Sequence, residues 1–517
     1  MKNSPTPSTP MRDSGSLSIW QQKGFKLDNA ADVFEPANIY DVLIIGGGIT
    51  GLTTGLLLQA QGKQCVIAEA HNIGFGTTGG TSAHLNTFFD ATYADVEKDF
   101  SQQAAKQLAN CGKEAFEIIK QNTQNYNIAC DLEYKDGYLY AETDEEVKML
   151  DKILEASKRA GVEVAEANTN GINVPYKKAI VFSGQGQFHP LKYIYGLANA
   201  FVDAGGIILE NTFVKETSYE DELYTINTST HTIKAKNLVH ATHLPAGLNV
   251  FDFNCAPYRS YVLGLTLQND NDYPHCLSYD SKEPYHYYRT HEVDGQKYLL
   301  IGGEDHKTGH DDPEAAYEAL ENYVRGYYKV KEVAFKWSSQ YYVPSDGLPF
   351  IGKMPLGNAG TYVATGYNGN GMMFGTIAGK IISDLILNGV SPYEDLFSTS
   401  RVKPVAGFTD FVRENADVAY RFIADRLNTD AIDSLKEIAP DTGAVIKYDG
   451  DKIAVYKNPE GVITALSPVC THAGCIVHFN QAEKSWDCPC HGGRFDLDGN
   501  VLTGPPAQAL KKLEIEQ

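Results

Sequence analysis

The sequence lacks several features that mark membrane, secreted or nucleic-acid-binding proteins. No apolar run reaches about 18 residues, the length that a helix needs to cross a bilayer, so we expect no membrane span. The first 18 residues are polar and lack the apolar core of a signal peptide, which favours a cytoplasmic protein. Positive charge is also scarce. The net charge of −21 argues against nucleic acid and anionic membranes as partners, because both would repel this surface.

Cysteine is sparse for so long a chain, which argues against a disulfide scaffold. The 517 residues include nine cysteines, and four of them fall between Cys470 and Cys490. Such clustering requires a chemical reason. We expect the other five to be buried apolar thiols: Cys65, Cys111, Cys130, Cys255 and Cys276.

A glycine-rich stretch at 40–70, "YDVLIIGGGITGLTTGLLLQAQGKQCVIAEA", predicts a dinucleotide-binding strand–helix–strand unit. The apolar run at 42–45 is typical of a strand buried on both faces. Residues 49–61 predict a helix, and 64–68 predict a second strand that Glu69 closes.

The spacing of three glycines in this unit has a physical reason. Gly46 permits the tight turn after the first strand, and Gly48 lets the backbone approach a pyrophosphate at the helix amino terminus. Gly51 lets the helix pack closely on the strand. Glu69 can accept hydrogen bonds from a ribose, and an acid at this position argues against a 2′-phosphate.

The stretch that follows, "GFGTTGGTSAHLN" at 74–86, is small and rich in hydroxyls, as backbone beside a phosphate and a flavin must be. The arrangement resembles the FAD-dependent oxidoreductases of the D-amino-acid oxidase and glycine oxidase superfamily. Three later stretches carry the same resemblance, which spans roughly 35–400: "NLVHATHLPA" at 237–246, "SDGLPFIGKMP" at 345–355 and "ATGYNGNGMMFGTIAGKII" at 364–382.

The resemblance implies a set of FAD-binding residues. The helix that opens at the last glycine-rich loop should point its amino terminus at the flavin pyrimidine edge. A backbone contact to adenine should come from the segment 212–216, through Val214. The full expected set is Gly46, Gly47, Gly48, Ile49, Thr50, Gly51, Glu69, Ala70, Thr77, Thr78, Val214, Thr242, Gly369, Asn370, Gly371 and Met372.

The residues between these motifs predict a substrate domain. Stretches that begin at Tyr258, Tyr285 and Lys297 alternate like strands of one antiparallel sheet, which in the superfamily forms a roof over the flavin. The periodicity predicts a helix over 313–328 and one or two helices within 93–127.

The substrate side chains are harder to assign. The superfamily resemblance implies an amine or amino-acid-like substrate that is oxidised to an imine. Glycine-oxidase-like relatives bind the substrate carboxylate with an arginine just before the "DGLP" turn, whereas this chain has Gln340 there, which weakens the case for a simple amino acid. Arg259 and Arg289 are alternative carboxylate ligands or structural ion-pair partners. We expect Tyr287, Arg289 and His84 to act in the substrate step, with Tyr288 as a further wall residue or part of the core.

Two loops near the carboxyl end, "CTHAGC" from Cys470 and "CPCHGG" from Cys488, offer paired cysteine and histidine ligands. Such a set could hold zinc or iron. The pattern resembles the Rieske family, in which two histidines replace two cysteines on one iron of a 2Fe–2S cluster. The match continues through "GGRFDLDGNVLTGPPAQAL", and the preceding residues read as short strands joined by tight turns.

The Rieske resemblance implies roles for individual residues. Cys470 and Cys488 would hold the inner iron, and His472 and His491 the outer, exposed iron. Cys475 and Cys490 would form a disulfide that ties the loops, as in the Rieske proteins of cytochrome bc complexes. Those proteins carry a Ser and a Tyr that donate to cluster sulfurs, where this chain has Gly493 and Phe495. Without these donors, we expect a reduction potential in the lower part of the Rieske span of roughly −150 to +300 mV.

Together these patterns predict an α/β protein: a Rossmann-like FAD-binding domain with an antiparallel-sheet substrate domain, followed by a small all-β Rieske domain. The expected divisions are a polar extension at 1–35, the oxidoreductase at 36–400, a helical connector at 401–438 and the Rieske domain at 439–517.

A flavin accepts two electrons, whereas the cluster carries one at a time. We therefore expect a dehydrogenase that passes electrons to a carrier protein or a quinone. A monooxygenase component whose flavin is fed by the cluster, and a non-catalytic redox sensor, are the alternatives.

Overall fold

The computed structural model describes residues 12–27, 34–401, 417, 421 and 435–515. The predicted connector at 401–438 lies almost entirely outside the described residues, so its helical character stays a prediction. Among the described helices, none has both the length and the apolar character that crossing a membrane requires.

The α-helices of the described residues are α1 Ile49–Gln59, α2 Thr77–Gly80, α3 Tyr93–Asp99, α4 Gln102–Asn125, α5 Asp144–Ala160, α6 Pro190–Asp203, α7 Pro313–Arg325 and α8 Gly371–Asn388. Short 3₁₀ turns cover Ile19–Gln21, Val250–Phe253 and Asp270–Asp272. The helices predicted within 93–127 and over 313–328 correspond to α3, α4 and α7.

The strands of the oxidoreductase part are β1 Ile39–Ile45, β2 Cys65–Ala68, β3 His84–Leu85, β4 Glu133–Ala141, β5 Val164–Ala167, β6 Lys178–Gln187, β7 Ile207–Leu209, β8 Val214–Glu220, β9 Leu223–Thr228, β10 Thr232–His240, β11 Cys255–Leu267, β12 Leu277–Asp280, β13 Tyr287–Val293, β14 Gln296–Lys307, β15 Val330–Pro344, β16 Phe350–Lys353 and β17 Thr361–Thr365. Those of the carboxyl-terminal part are β18 Thr442–Tyr448, β19 Asp451–Lys457, β20 Ile463–Leu466, β21 His478–Asn480, β22 Ser485–Asp487, β23 Arg494–Phe495 and β24 Val501–Thr503.

The first sheet is the predicted dinucleotide-binding layer. Its strands follow the order β16-β17-β10-β1-β2-β7, and β1 runs parallel to both β10 and β2. Parallel strands present their carboxyl ends at one edge, where α1 begins directly after β1. That edge is where the ligand of such a sheet lies.

The second sheet is mainly antiparallel, as predicted, except that β12 runs parallel to β4. Its order is β15-β11-β14-β13-β12-β4-β6-β3, with β5 paired to β6. The strands predicted from Tyr258, Tyr285 and Lys297 are β11, β13 and β14, which pair antiparallel. Strand β15 lies along β11 over its whole length and forms the edge that faces the carboxyl-terminal domain.

The carboxyl-terminal domain is all-β, as predicted. A three-stranded sheet, β18-β19-β20, accompanies a four-stranded sheet, β21-β22-β23-β24. The Cys–His loops connect these short strands, and their cysteines belong to one apolar core that also contains Trp486 and Phe495.

The described part of the predicted polar extension, residues 12–27, is not a solvent-exposed tail. Ile19 and Trp20 are each 1% exposed. The Trp20 indole donates to the Thr81 carbonyl at 2.7 Å, and its ring packs edge-on against His291. Long-range contacts therefore bury much of residues 12–27, and the division of the chain at residue 35 stays a prediction.

Long-range hydrogen bonds join this segment to both domains. Arg12 donates to the Ser338 carbonyl of β15, and Arg494 of β23 donates to the Asp13 carbonyl. Glu483 of the carboxyl-terminal domain accepts hydrogen bonds from Ser14 and Ser338. The amino-terminal segment thus lies at the junction between the two domains.

Candidate active site and metal centre

A cavity of about 920 Å³ opens at the carboxyl edge of the first sheet and continues beneath the second. The structure places 15 of the 16 expected FAD-binding residues on its wall, at the positions from Gly46 to Met372 named above. The remaining one, Gly51, packs behind the wall. It lies so close to the Gly46 carbonyl that a β-carbon at this position would collide with it. This is the close packing of helix on strand that the sequence predicted.

The turn between β1 and α1 requires a glycine. Gly46 has φ +109°, and a β-carbon on it would lie 2.5 Å from the Ala241 carbonyl oxygen. Gly48 caps α1, whose first backbone amide, that of Ile49, donates to Thr78 Oγ1 at 3.3 Å. The amino termini of α1 and α8 both open on the cavity, so the residues present fit a ligand with a pyrophosphate and an anionic ring.

Glu69 lies where the ribose acceptor was predicted. Its carboxylate accepts the Gly47 amide at 2.7 Å and the His71 amide at 2.9 Å. Burial raises the pKa of this carboxyl, whereas the two amide hydrogen bonds lower it.

At the far end of the cavity lies a chamber that we call the substrate chamber, lined by Asp90, Ser260, Tyr285, Tyr287, Asp305, Tyr341 and His84. The rings of His84 and Tyr287 meet edge to face at 5.4 Å. Burial, with a smaller contribution from Arg289, lowers the pKa of His84 to about 3, so this imidazole is neutral at pH 7. Tyr287 and Ser260 share a hydrogen bond of 3.0 Å.

The sequence analysis missed Asp305, which carries the most perturbed carboxyl of the substrate chamber. Its Oδ2 accepts a hydrogen bond from Tyr341 at 2.8 Å. Burial raises the pKa of Asp305 to about 7; the Ser260 and Tyr341 hydroxyls oppose the shift, and Asp90 and Glu283 add to it. No local sequence pattern marks an aspartate at the end of a strand as a cavity residue. Only the position of β14 in the fold shows that Asp305 lines the cavity.

Neither arginine proposed as a carboxylate ligand reaches the cavity wall. Arg289 is fully buried and donates to the carbonyls of Ser82 at 2.6 Å and Ala83 at 2.8 Å. Arg259 donates to Ser338 Oγ at 2.6 Å and faces Glu483. A substrate role for Arg289 is not supported by its position, because its guanidinium bonds to backbone carbonyls inside the protein and does not line the cavity. Tyr288 is likewise core.

The two predicted ligand loops come together in the carboxyl-terminal domain. The His472 and His491 rings lie 4.9 Å apart, nearly perpendicular to each other. Both ring nitrogens of each histidine are buried and make no hydrogen bond with any described residue. Hydrogen bonds from Cys488 and from the His472 and Ala473 amides lower the pKa of the Cys470 thiol. Unsatisfied imidazoles beside a stabilised thiolate fit a metal centre.

The predicted disulfide is present. Cys475 and Cys490 are bonded and link the two loops. The Cys470 amide donates to the Cys475 carbonyl at 2.8 Å, and the Cys488 amide donates to the Gly493 carbonyl at 2.8 Å. The loops are therefore tied to each other by a covalent bond and stabilised by backbone hydrogen bonds.

The expectation that the histidines are exposed was wrong. The side chain of His472 is 2% exposed, and His491 is 4% exposed. The oxidoreductase domain covers them through β15. Tyr342 Oη donates to the His491 carbonyl at 3.0 Å, and the Gln340 amide donates to the Gly492 carbonyl at 2.9 Å. Gln340 thus contacts the metal loop.

A dinucleotide cavity beneath an antiparallel roof, with one wall strand bonded to a two-cysteine, two-histidine centre, defines a flavoprotein oxidoreductase with its own electron-carrying domain. Residues 41–385 match the family described as FAD dependent oxidoreductase (DAO). Residues 429–514 match the Rieske [2Fe-2S] domain, from a start inside the predicted connector. The chain belongs to the DAO family and carries a Rieske domain, which imply FAD and a 2Fe–2S cluster.

Similar proteins support both halves. The chain is 31% identical over 479 residues to YhfW of Bacillus subtilis (strain 168), whose name describes a Rieske 2Fe-2S iron-sulfur protein, with 92% of this chain and 94% of that protein covered. It is 25% identical over 391 residues to gamma-glutamylputrescine oxidoreductase of Escherichia coli (strain K12), covering 71% and 88%. The glycine oxidase structure from Geobacillus kaustophilus shares the fold, with a TM-score of 0.59, 19% identity and coverage of 71% and 100%.

Proposed function

We propose that this protein is a dehydrogenase that oxidises an amine or amino-acid-like substrate at a CH–NH bond and passes the electrons singly through the Rieske cluster to a carrier protein or a quinone. FAD supplies a two-electron acceptor, and the cluster a one-electron carrier. The chain's own residues bind and orient the substrate, exclude water and hold the two cofactor sites together. We propose the cytoplasm as its location.

The observation that carries this proposal is the double role of β15. Gln340 and Tyr342 line the FAD cavity, and both donate hydrogen bonds to backbone carbonyls of the His491–Gly492 loop. Tyr342 also packs against His243 of the cavity wall, with ring centroids 4.6 Å apart. One layer of side chains therefore separates the cavity from a ligand of the cluster, which favours electron exchange between them.

The charges of the substrate chamber favour an amine over an amino acid with a free carboxylate. No arginine of the described residues lines the cavity; Lys215 and Lys282 do, and Asp90, Glu283 and Asp305 lie on the same wall. In this proposal Asp305 takes a proton from the substrate ammonium, because hydride leaves most readily from a carbon beside a neutral amine nitrogen. The neutral His84 and Tyr287 hold the substrate in place.

Anaerobic addition of candidate mono- and diamines to the purified holoprotein tests the function. We expect one of them to bleach the flavin absorbance, followed by the electron paramagnetic resonance signal of a reduced Rieske cluster. Tyr342→Phe removes only the hydroxyl that bonds to the His491 carbonyl, and it should slow the second phase while leaving the first unchanged.

Other outcomes would favour the alternative functions. Cluster reduction by a reductase, followed by flavin reduction without an amine, would favour the monooxygenase component. If no amine bleaches the flavin and the cluster responds only to the ambient redox potential, the protein is a sensor and the proposal fails.

A further inference from the structure

The oxidoreductase domain places a carboxylate against one of the cluster histidines. Asp252 lies in the 3₁₀ turn Val250–Phe253, and its Oδ2 is 3.3 Å from His472 Nε2. The side chains are 1% and 2% exposed. The contact joins two domains, since Asp252 precedes β11 whereas His472 belongs to the Rieske loops.

Local structure fixes this carboxylate in place. The Asn249 amide donates to Asp252 Oδ2 at 2.8 Å, and the Asp252 amide donates back to the Asn249 carbonyl. Asn249 is held in turn by its side-chain amide, which donates to the Gly247 carbonyl at 2.8 Å. Among the described residues, His472 is the basic group recorded within ion-pair distance of Asp252.

A carboxylate close to the second nitrogen of a metal-binding histidine helps to fix the ring and makes it a more electron-rich ligand. Here Asp252 Oδ2 lies within ion-pair distance of His472 Nε2, at 3.3 Å, without a hydrogen bond between the two groups. A buried negative charge beside the cluster favours the oxidised state, which carries more positive charge, over the reduced state.

We propose that Asp252 is a positioning residue for the Rieske centre, which orients His472 and lowers the reduction potential of the cluster. The potential is then set partly by the oxidoreductase domain, so cluster electronics and domain docking are coupled. This inference rests on the cluster and not on the identity of the substrate, and it would survive the failure of the proposed dehydrogenase activity.

Redox titration of the full-length holoprotein, followed by the Rieske electron paramagnetic resonance signal, tests the proposal. Asp252→Asn keeps an acceptor for the Asn249 amide and removes the charge, so we expect a higher midpoint potential and shifted g-values. Asp252→Glu keeps the charge and should stay closer to the unaltered protein than Asp252→Asn does. Equal midpoint potentials in Asp252→Asn and the unaltered protein, or a lower one in the variant, would overturn the proposal.

A matched control separates charge from turn structure. Asn249→Ala removes the side-chain bonds of the same turn without changing any charge, so it should lower the thermal unfolding temperature and change the midpoint potential less than Asp252→Asn does. If Asn249→Ala raises the potential as much as Asp252→Asn, the role is structural and the proposal is wrong. Should Asp252→Asn not retain iron, Asp252→Ser carries the same test, and loss of iron from both variants would overturn the proposed effect on potential.

Discussion

The two cofactor sites of this chain are built on opposite plans. The FAD cavity is large, and glycine backbone and two helix termini form much of its wall. The binding energy for FAD is therefore distributed over many weak contacts. The cluster site depends on four side chains, all shielded from solvent, on loops that a disulfide and backbone bonds already hold. Replacing a single ligand atom can therefore abolish cluster binding, whereas FAD binding is lost only when the backbone of the cavity wall is displaced.

The largest effect should come from Cys488→Ser, which replaces a soft thiolate ligand with a hydroxyl. We expect essentially complete loss of the cluster, because hard oxygen ligands hold iron–sulfur centres poorly. FAD content should stay near one per chain. Iron analysis and the visible spectrum check this. Cys276→Ser, at a buried thiol outside the loops, is the control and should keep both cofactors.

The converse change is Gly46→Ala, which should weaken FAD and spare the cluster. Strain at φ +109° and the approach to the Ala241 carbonyl cost about 1–3 kcal/mol, which corresponds to about 5- to 150-fold in affinity. Flavin fluorescence titration measures it. Gly62→Ala has a similar positive φ of +80° but meets nothing within 4 Å. Equal losses of FAD affinity in the two variants would mean that the strained turn conformation accounts for the loss, and not the fit of the Gly46 turn to FAD.

The junction between the sites should be the next most sensitive place. Glu483→Gln removes the carboxylate that faces Arg259 and leaves a buried guanidinium without its counter-charge. We expect a loss of about 3–5 kcal/mol in the free energy of unfolding. Chemical denaturation of the holoprotein measures this loss. Asp498→Asn, in an exposed pair with Lys512, should cost less than about 1 kcal/mol; similar costs at the two sites would contradict the buried network.

A smaller effect concerns pH in the substrate chamber. The pKa of about 7 means that Asp305 is neutral below that pH and anionic above it. Asp90 and Glu283 add to the raised value, whereas Ser260 and Tyr341 oppose it. The affinity for a permanently charged quaternary ammonium inhibitor should therefore rise as pH increases through 7, by about tenfold at most. Asp305→Asn should flatten the profile, and an unchanged profile in this variant would assign the titration to another group.

The smallest effect should come from Phe495→Tyr, which offers the cluster a hydroxyl donor. Phe495 packs in the same core as the ligand cysteines. A hydrogen bond to a sulfur is worth about 1 kcal/mol, which for one electron corresponds to a rise of about 40 mV. A redox titration checks this shift. Phe479→Tyr, at the edge of the same core, should leave the potential unchanged. If the potential instead falls in Phe495→Tyr, the missing hydroxyl donors are not the cause of a low reduction potential.

Local chemistry made both sites predictable from the sequence. Gly46 indicates a tight turn, and Gly51 indicates close packing of the helix on the strand. The spacing of Cys470, His472, Cys488 and His491 is itself a metal-ligand pattern. The disulfide followed from resemblance rather than geometry.

Long-range contacts were not predictable. No pattern in residues 12–27 indicates their burial, because it depends on partners such as Arg494, 481 positions away from Asp13. For the same reason no sequence pattern indicates that β15 covers His491, or that Arg289 bonds to backbone carbonyls inside the protein.

The placement of Trp20 and its neighbours has a consequence for biosynthesis. Residues 12–20 lie between the oxidoreductase body and strands that come more than 460 positions later in the chain, since Asp13 bonds to Arg494 and Ser14 to Glu483. These residues cannot reach their final partners until the carboxyl-terminal domain has been made. Maturation is therefore completed after translation rather than domain by domain, and these contacts form only on molecules that carry both halves.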